Sequence, residues 1–172
     1  AAAAAFGPPL PERVARGIVF ARLANYVEGH AAVTVGLAEA VAAMLDGERL
    51  PKVSALGQGG AGEILGLAPL FLGLAQKFEL AEKESLSLVN GSPCASALIA
   101  DGAIAMARRL PLIEQVMALS AEAIKAPLEA YAPDFDGLWN DPHEAAALQS
   151  LRHLLAGGVR ERRPYQAPVS YR

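Results

Sequence analysis

A single cysteine, sparse aromatics, no long apolar run and no block of basic residues set the first limits on this 172-residue chain. The lone Cys94 excludes an internal disulfide framework and a cysteine-based zinc cluster, and it suits a reducing, cytoplasmic setting. Aromatics make up 6% of the residues, while Ala and Leu dominate a hydrophobic fraction of 53%. A sandwich or barrel would draw more on Val, Ile, Thr and aromatics, so this balance points to packed helices. No stretch reaches the roughly 18 consecutive apolar residues of a membrane-spanning helix. The opening residues, Ala1 to Ala5 and then Phe6-Gly7-Pro8-Pro9, lack the positive region of a signal peptide. The five alanines support no reading by themselves. Net charge is −3, with the two signs interspersed. Without a basic stripe to neutralise phosphates, nucleic acid is not an expected partner.

What is present is helical punctuation. Pro9 and Pro11 lead into a helix over Glu12 to Glu28, with Val14, Ile18, Ala21 and Val27 near helical spacing. Thr34 can cap a second helix, Val35 to Leu45, which Asp46-Gly47 ends. A glycine-rich loop follows to Gly62, with Lys52 to Leu56 as its one candidate strand. Leu65 to Phe78 reads as helix, with Pro69 tolerable near its first turn. Ala81 to Val89 is a shorter helix, stopped by Asn90-Gly91-Ser92-Pro93. Two long helices follow, Ala95 to Arg109 and Leu112 to Ala126, and Pro111 is expected to break or kink the chain between them. Asp141-Pro142-His143-Glu144 is a helix start with an acidic cap, and Gly157-Gly158 stops that helix. The tail from Val159 reads as loop. The whole is all-α, one segment over residues 1–172, expected to be the central part of a larger helical domain.

Gly57-Gln58-Gly59-Gly60-Ala61-Gly62 matches G-x-G-x-x-G in form. A dinucleotide site needs a strand before the loop, a helix after it and a second strand in a βαβ unit, and no second strand is foreseen. No Gly-Lys-Ser/Thr follows, so a phosphate loop of the Walker type is excluded. A plain interhelical loop, its glycines allowing tight backbone geometry, is the simpler reading.

A third reading comes from the residues around the loop. Gly57 to Leu70, GQGGAGEILGLAPL, resembles the G-S-V-G-A-S-G-D-L-A-P-L segment of the histidine and phenylalanine ammonia-lyases. Asn25 and Gly29-His30-Ala31 resemble that family's N-L-x-x-S-H-A helix end. Leu86 to Ser92, LSLVNGS, is similar to its L-x-L-x-N-G-T segment. Leu119 to Ala123, LSAEA, is similar to L-S-x-E-A, and Gln166 to Arg172, QAPVSYR, to Q-D-P-Y-S-L-R. Five segments in the family's order span nearly the whole chain. The G-S-S-x-M-P-x-K stretch of the fumarase-like helical lyases has no counterpart.

The resemblance implies a segment of a long-helix bundle from a cytoplasmic homotetramer with sites shared between subunits. It implies that Asn90 contacts substrate beside the prosthetic group, that Gln166 hydrogen-bonds in the same pocket, and that Arg172 pairs with the substrate carboxylate through its two-pronged guanidinium. His30 falls where histidine-specific members carry a substrate-contacting histidine. The glycines Gly59, Gly60 and Gly62, with Ala61, occupy the loop that in this family cyclises at Ala-Ser-Gly into methylidene-imidazolone. Here no serine falls in the triplet, which is Ala61-Gly62-Glu63 or, with a two-residue shift, Glu63-Ile64-Leu65. The prosthetic group is therefore not expected, and no other cofactor is foreseen. Val169 stands for the family's tyrosine and Ala167 for its aspartate.

Other residues carry competing readings. Glu63, beside the glycines, is a candidate catalytic base if buried; a solvated loop glutamate is the plainer alternative. His30 could equally be solvated or capping, His143 sits in a helix's first turn, and His153 lacks a partner at the next turn, so no metal site is expected. Cys94 reads as a small buried core residue. Arg160-Glu161-Arg162-Arg163 reads as a solvated loop. Two functions stay open: a lyase-like enzyme on an amino acid or related carboxylate by chemistry without methylidene-imidazolone, or a non-catalytic ligand-binding or scaffold relative.

Overall fold

A computed structural model describes residues 5–47, 49–57 and 62–169. Two short strands and seven α-helices follow one another: β1 (Phe6–Pro9), α1 (Glu12–Val27), α2 (Val35–Ala43), β2 (Ser54–Leu56), α3 (Ile64–Lys77), α4 (Glu84–Val89), α5 (Pro93–Ala123), α6 (Asp136–Trp139) and α7 (Pro142–Leu155). Single 3-10 turns at Glu129–Tyr131 and Pro133–Phe135 fill the link before α6. The chain divides into two compact units, Ala1–Ile104 and Ala105–Arg172, and the boundary falls within α5.

In the first unit, β1 and β2 pair antiparallel with Phe6 opposite Leu56 and Pro9 opposite Ser54. The Leu10 amide donates to the Val53 carbonyl at 2.8 Å and extends the pairing by one rung. Proline tolerates such a ribbon because both strands are edges. Gly7 is required in it: φ is +87°, and a Cβ there would lie 2.9 Å from the Leu56 side chain. Beneath the ribbon lies an apolar core built from Val14, Ile18 and Val19 of α1, Leu37 and Val41 of α2, Leu67, Leu70 and Phe71 of α3, and Leu88 of α4. Gly17 admits α5 to this core, since a Cβ at that position would stand 3.2 Å from Ala97. The buried stripe of α1 runs Val14, Ala15, Ile18, Val19, Arg22 and Tyr26. It differs from the sequence expectation at its end: Val27 is 78% exposed, and Arg22 and Tyr26 take the inward positions.

Thr34 caps α2 as expected, its hydroxyl accepting from the Leu37 amide at 3.3 Å. Of the break or kink expected at Pro111, the break is corrected. Helix α5 runs through it without interruption. A proline inside a helix leaves the carbonyl four residues earlier without its donor. Ala107, which carries that carbonyl, is exposed, so water can take the bond and the helix continues.

The second unit packs Ala118, Ala121 and Ala126 against Leu151 and Leu155 of α7. Asp141 caps α7 through amides of His143 and Glu144 at 2.7 and 3.3 Å. The basic tail is only partly the solvated loop expected. Arg163 donates from its backbone to the Lys125 carbonyl and from Nε to the Ile124 carbonyl, at 2.9 and 2.8 Å. Arg162 bonds the Ala126 carbonyl at 3.2 Å and pairs with Glu122. Cations and donors at a helix C-terminus satisfy its orphan carbonyls and complement its dipole, which explains the placement. Glu122 also accepts from the Val159 amide at 2.7 Å. A Cβ on Gly158 would lie 2.5 Å from that carboxylate, so a side chain there would require the Glu122 carboxylate to move.

Candidate functional site

Strand β2 hands the chain to Gly57, whose φ of +84° turns it away from the ribbon. Gly59, Gly60 and Ala61 lie outside the described residues. The chain re-enters description at Gly62, with φ of +89°. A Cβ there would meet the Asn90 side-chain oxygen at 2.8 Å. Glycine is needed for both reasons, the left-handed backbone and the close approach. The glycine loop and the Asn-Gly turn after α4, distant in sequence, therefore meet at one place.

Asn90 is held there by three bonds. Its amide donates to the Leu86 carbonyl at 2.9 Å, its side-chain Nδ2 donates to the same carbonyl at 3.1 Å, and its own carbonyl accepts from Arg22. A carbonyl accepts only, so the side-chain nitrogen must be the atom facing Leu86, and the oxygen must be the atom facing Gly62.

Glu63 follows Gly62 with φ of +49°. Its carboxylate accepts from the Cys94 amide at 2.6 Å and the Ala95 amide at 2.9 Å, at the first turn of α5. Both oxygens thus occupy the electropositive end of a helix, where anions are favoured. The solvated-glutamate reading is corrected: Glu63 is buried because a helix terminus replaces its water. Cys94 is buried beside it, as its small apolar character suggested. Burial, followed by the neighbouring Glu63 charge, pushes the Cys94 thiol up to about 12.

Sequence reasoning missed two residues of this region. Arg22 is 4% exposed, its guanidinium about 3.6 Å from where a Gly91 Cβ would be. It stacks over the Tyr26 ring at 5.9 Å. Desolvation lowers its pKa, and its Nε has no hydrogen-bond partner among the described residues. The signal was available, because Arg22 lies four residues after Ile18 on the inward stripe. Glu84 accepts from the Thr34 amide and hydroxyl and from the Ala81 amide, each at 2.7 Å. These bonds, the Thr34 amide first, lower its pKa. It ties α4, which carries Asn90, to the cap of α2.

His30 is exposed just past α1. Gln166 belongs to the second unit, where it lines a cleft of about 910 Å³ with Ala126, Tyr131 and Val169. Arg172 lies outside the described residues. Among the described residues no three His, Cys, Asp or Glu side chains are grouped to hold a metal, and no helix is long and apolar enough to cross a membrane.

The residues present do not fit methylidene-imidazolone. Residues 57–63, Gly-Gln-Gly-Gly-Ala-Gly-Glu, include no hydroxyl or thiol to eliminate. Gly62 has a left-handed φ of +89° that a residue with a side chain rarely adopts, and the nearest preceding serine, Ser54, is held in β2 opposite Pro9.

Comparison with known proteins places this geometry. The sequence model of the family described as "Aromatic amino acid lyase" matches residues 1–77 and 73–172. A histidine ammonia-lyase from Deinococcus radiodurans is 30% identical over an alignment 175 positions long that covers 88% of this chain and 33% of that protein. The chain thus spans about a third of the length of the curated relatives it matches. Among solved structures, histidine ammonia-lyase from Trypanosoma cruzi superposes with a TM-score of 0.75 at 24% identity, over 87% of this chain and 34% of that one. The ergothioneine-degrading enzyme ergothionase from Treponema denticola superposes with a TM-score of 0.80 at 18% identity, over 97% and 39%. These two likenesses show the fold. With the family model covering the whole length, the chain belongs to the aromatic amino acid lyase family.

Proposed function

We propose that the protein is a lyase-like enzyme acting on an amino acid or related carboxylate by chemistry that does not depend on methylidene-imidazolone. The observation that supports it is the placement of Asn90. Its side-chain oxygen faces the glycine loop at Gly62. The side-chain nitrogen is tied to the Leu86 carbonyl, which leaves that exposed oxygen as an acceptor for a ligand lying against the loop. In this reading Asn90 contacts the substrate, Gln166 and His30 line its pocket, and Arg172 binds the carboxylate. Gly59, Gly60, Ala61 and Gly62 form the loop against which the substrate lies.

Glu63 takes a different role from the general base foreseen in the sequence. Both of its oxygens accept backbone amides of α5, so it anchors the loop rather than a proton. Association as a homotetramer in the cytoplasm belongs to the same proposal. The need for association, with further chain or with other subunits, is supported by apolar side chains exposed along α5, among them Ile99, Ile104, Leu112, Val116 and Leu119. A surface of that kind calls for cover.

The test is calorimetric titration of the full-length protein with L-histidine and L-phenylalanine, alongside an ammonia-release assay. Binding that weakens about tenfold in Asn90→Ala and Arg172→Ala, with release of amine, supports the enzyme. Binding that weakens in the same variants without amine release supports the non-catalytic relative. Titrations indifferent to both substitutions refute the site.

A further inference from the structure

Asn90 is exposed at the end of a six-residue helix, and its side chain is tethered by one bond of its own, from Nδ2 to the Leu86 carbonyl. A second restraint, on its main chain, lies underneath. The Arg22 guanidinium reaches from α1, nearly fully buried, and donates to the Asn90 main-chain carbonyl. The next residue, Gly91, has φ of +96°, and both guanidinium nitrogens lie 3.6 Å from the point its Cβ would occupy. The turn therefore lies against the guanidinium. The guanidinium carbon also lies over the Tyr26 ring, 5.9 Å from its centre, and the Tyr26 hydroxyl shares a hydrogen bond of 3.3 Å with Ser87 of α4. Arg22 and Tyr26 sit four residues apart on one face of α1 and grip the same short helix at two points.

We infer that Arg22 is a positioning residue, which sets the direction of the Asn90 side chain by fixing its carbonyl. The inference rests on the reading that Asn90 serves a ligand. A buried guanidinium is expensive to desolvate, and a carbonyl is a modest return for it. Apolar filler in the stripe of Ile18 and Val19 would serve packing better. The cation is explained when the object it holds has to be held in one orientation. Arginine suits that purpose because its planar fork fixes direction as well as distance, whereas an ammonium fixes distance alone. The Glu63 carboxylate, anchor of the glycine loop, lies within electrostatic reach of the guanidinium.

Two variants of the full-length protein test this, Arg22→Met, which keeps length and loses all donors, and Arg22→Lys, which keeps the charge and one direction of donation. Crystal structures report the Asn90 side chain directly, and titration with L-phenylalanine and L-histidine reports the consequence. The expected result is an Asn90 oxygen turned away from Gly62 in Arg22→Met and binding weakened about tenfold, the loss of one hydrogen bond. Arg22→Lys recovers part of both, and Arg22→Met adds nothing in an Asn90→Ala background. An Asn90 oxygen still facing Gly62 in Arg22→Met overturns the inference, whatever happens to stability. If Arg22→Met does not fold, an unchanged Asn90 and unchanged binding in Arg22→Lys overturn it equally. Failure of the ligand reading has its own signature: Asn90→Ala leaves binding unaltered while the Asn90 orientation still depends on Arg22.

Discussion

Replacing Glu63 by alanine removes the acceptor from two backbone amides at once, and the structure says what each loss is worth. The Cys94 amide is buried, and with its 2.6 Å partner gone it is left unsatisfied, which costs about 1–3 kcal/mol. The Ala95 amide belongs to an exposed residue, so water replaces the carboxylate and the loss falls to about 0.5–1 kcal/mol, the low end for a helix cap. The sum is about 2–4 kcal/mol. Glycine at the same position loses both bonds too, but it removes the left-handed strain of φ +49°. That relief, about 1–2 kcal/mol less the entropy glycine loses on folding, leaves Glu63→Gly more stable than Glu63→Ala by about 0.5–1 kcal/mol. Urea unfolding of the full-length protein, with stability taken from midpoint and slope, measures both. Glu63→Gln completes the series: an anchor predicts lost stability with binding retained in folded protein, a base predicts lost turnover with stability kept. Alanine within about 0.5 kcal/mol of the parent, or glycine worse than alanine, would refute the capping argument.

Glu84→Gln destabilises the protein at neutral pH, and the difference from the parent disappears as the medium is acidified. The folded pKa of Glu84 is lowered from 4.5, so its contribution is present above that value and is lost as pH falls through the lower folded pKa; a difference that grows towards acid contradicts this. Cys94 resists iodoacetamide at pH 8 in the folded protein and reacts on unfolding, because burial and Glu63 hold its thiol near 12; ready labelling of the native state contradicts it. Gly158→Ala displaces the Glu122 carboxylate, since the added Cβ would lie 2.5 Å from it, and weakens its bonds to Val159 and Arg162; limited proteolysis should then cut between residues 158 and 163 sooner than in the parent. Asp141→Ala lowers stability by about 0.5–2 kcal/mol through loss of the α7 cap, read from the same urea curves.

Short-range chemistry was legible in the sequence. Thr34 before α2 and Asp141-Pro142 before α7 fall where the structure has caps, because a cap is decided within a few residues. The all-helical class was legible in composition and helix punctuation, and the meeting of the glycine loop with Asn90 through family resemblance, which carries long-range information that periodicity lacks. What was not legible depended on distant partners. Residues 6–9 pair with 54–56, a contact no local pattern announces. Pro111 argued for a break, and only the exposure of Ala107 shows why the helix survives. Glu63 looked like a solvated loop residue because its partners, Cys94 and Ala95, lie some thirty positions on. Arg22 was passed over because a cation on an apolar stripe reads as an interruption, while in the folded chain it is the support for the Asn90 turn.

The account turns on an aromatic amino acid lyase family member whose glycine loop cannot build the electrophile. The most direct test is a near-ultraviolet spectrum of the purified full-length protein, followed by borohydride treatment and an ammonia assay on aromatic amino acids. The account predicts no absorption from a methylidene-imidazolone and no ammonia release that borohydride abolishes. Such an absorption band, together with borohydride-sensitive ammonia release, would contradict it.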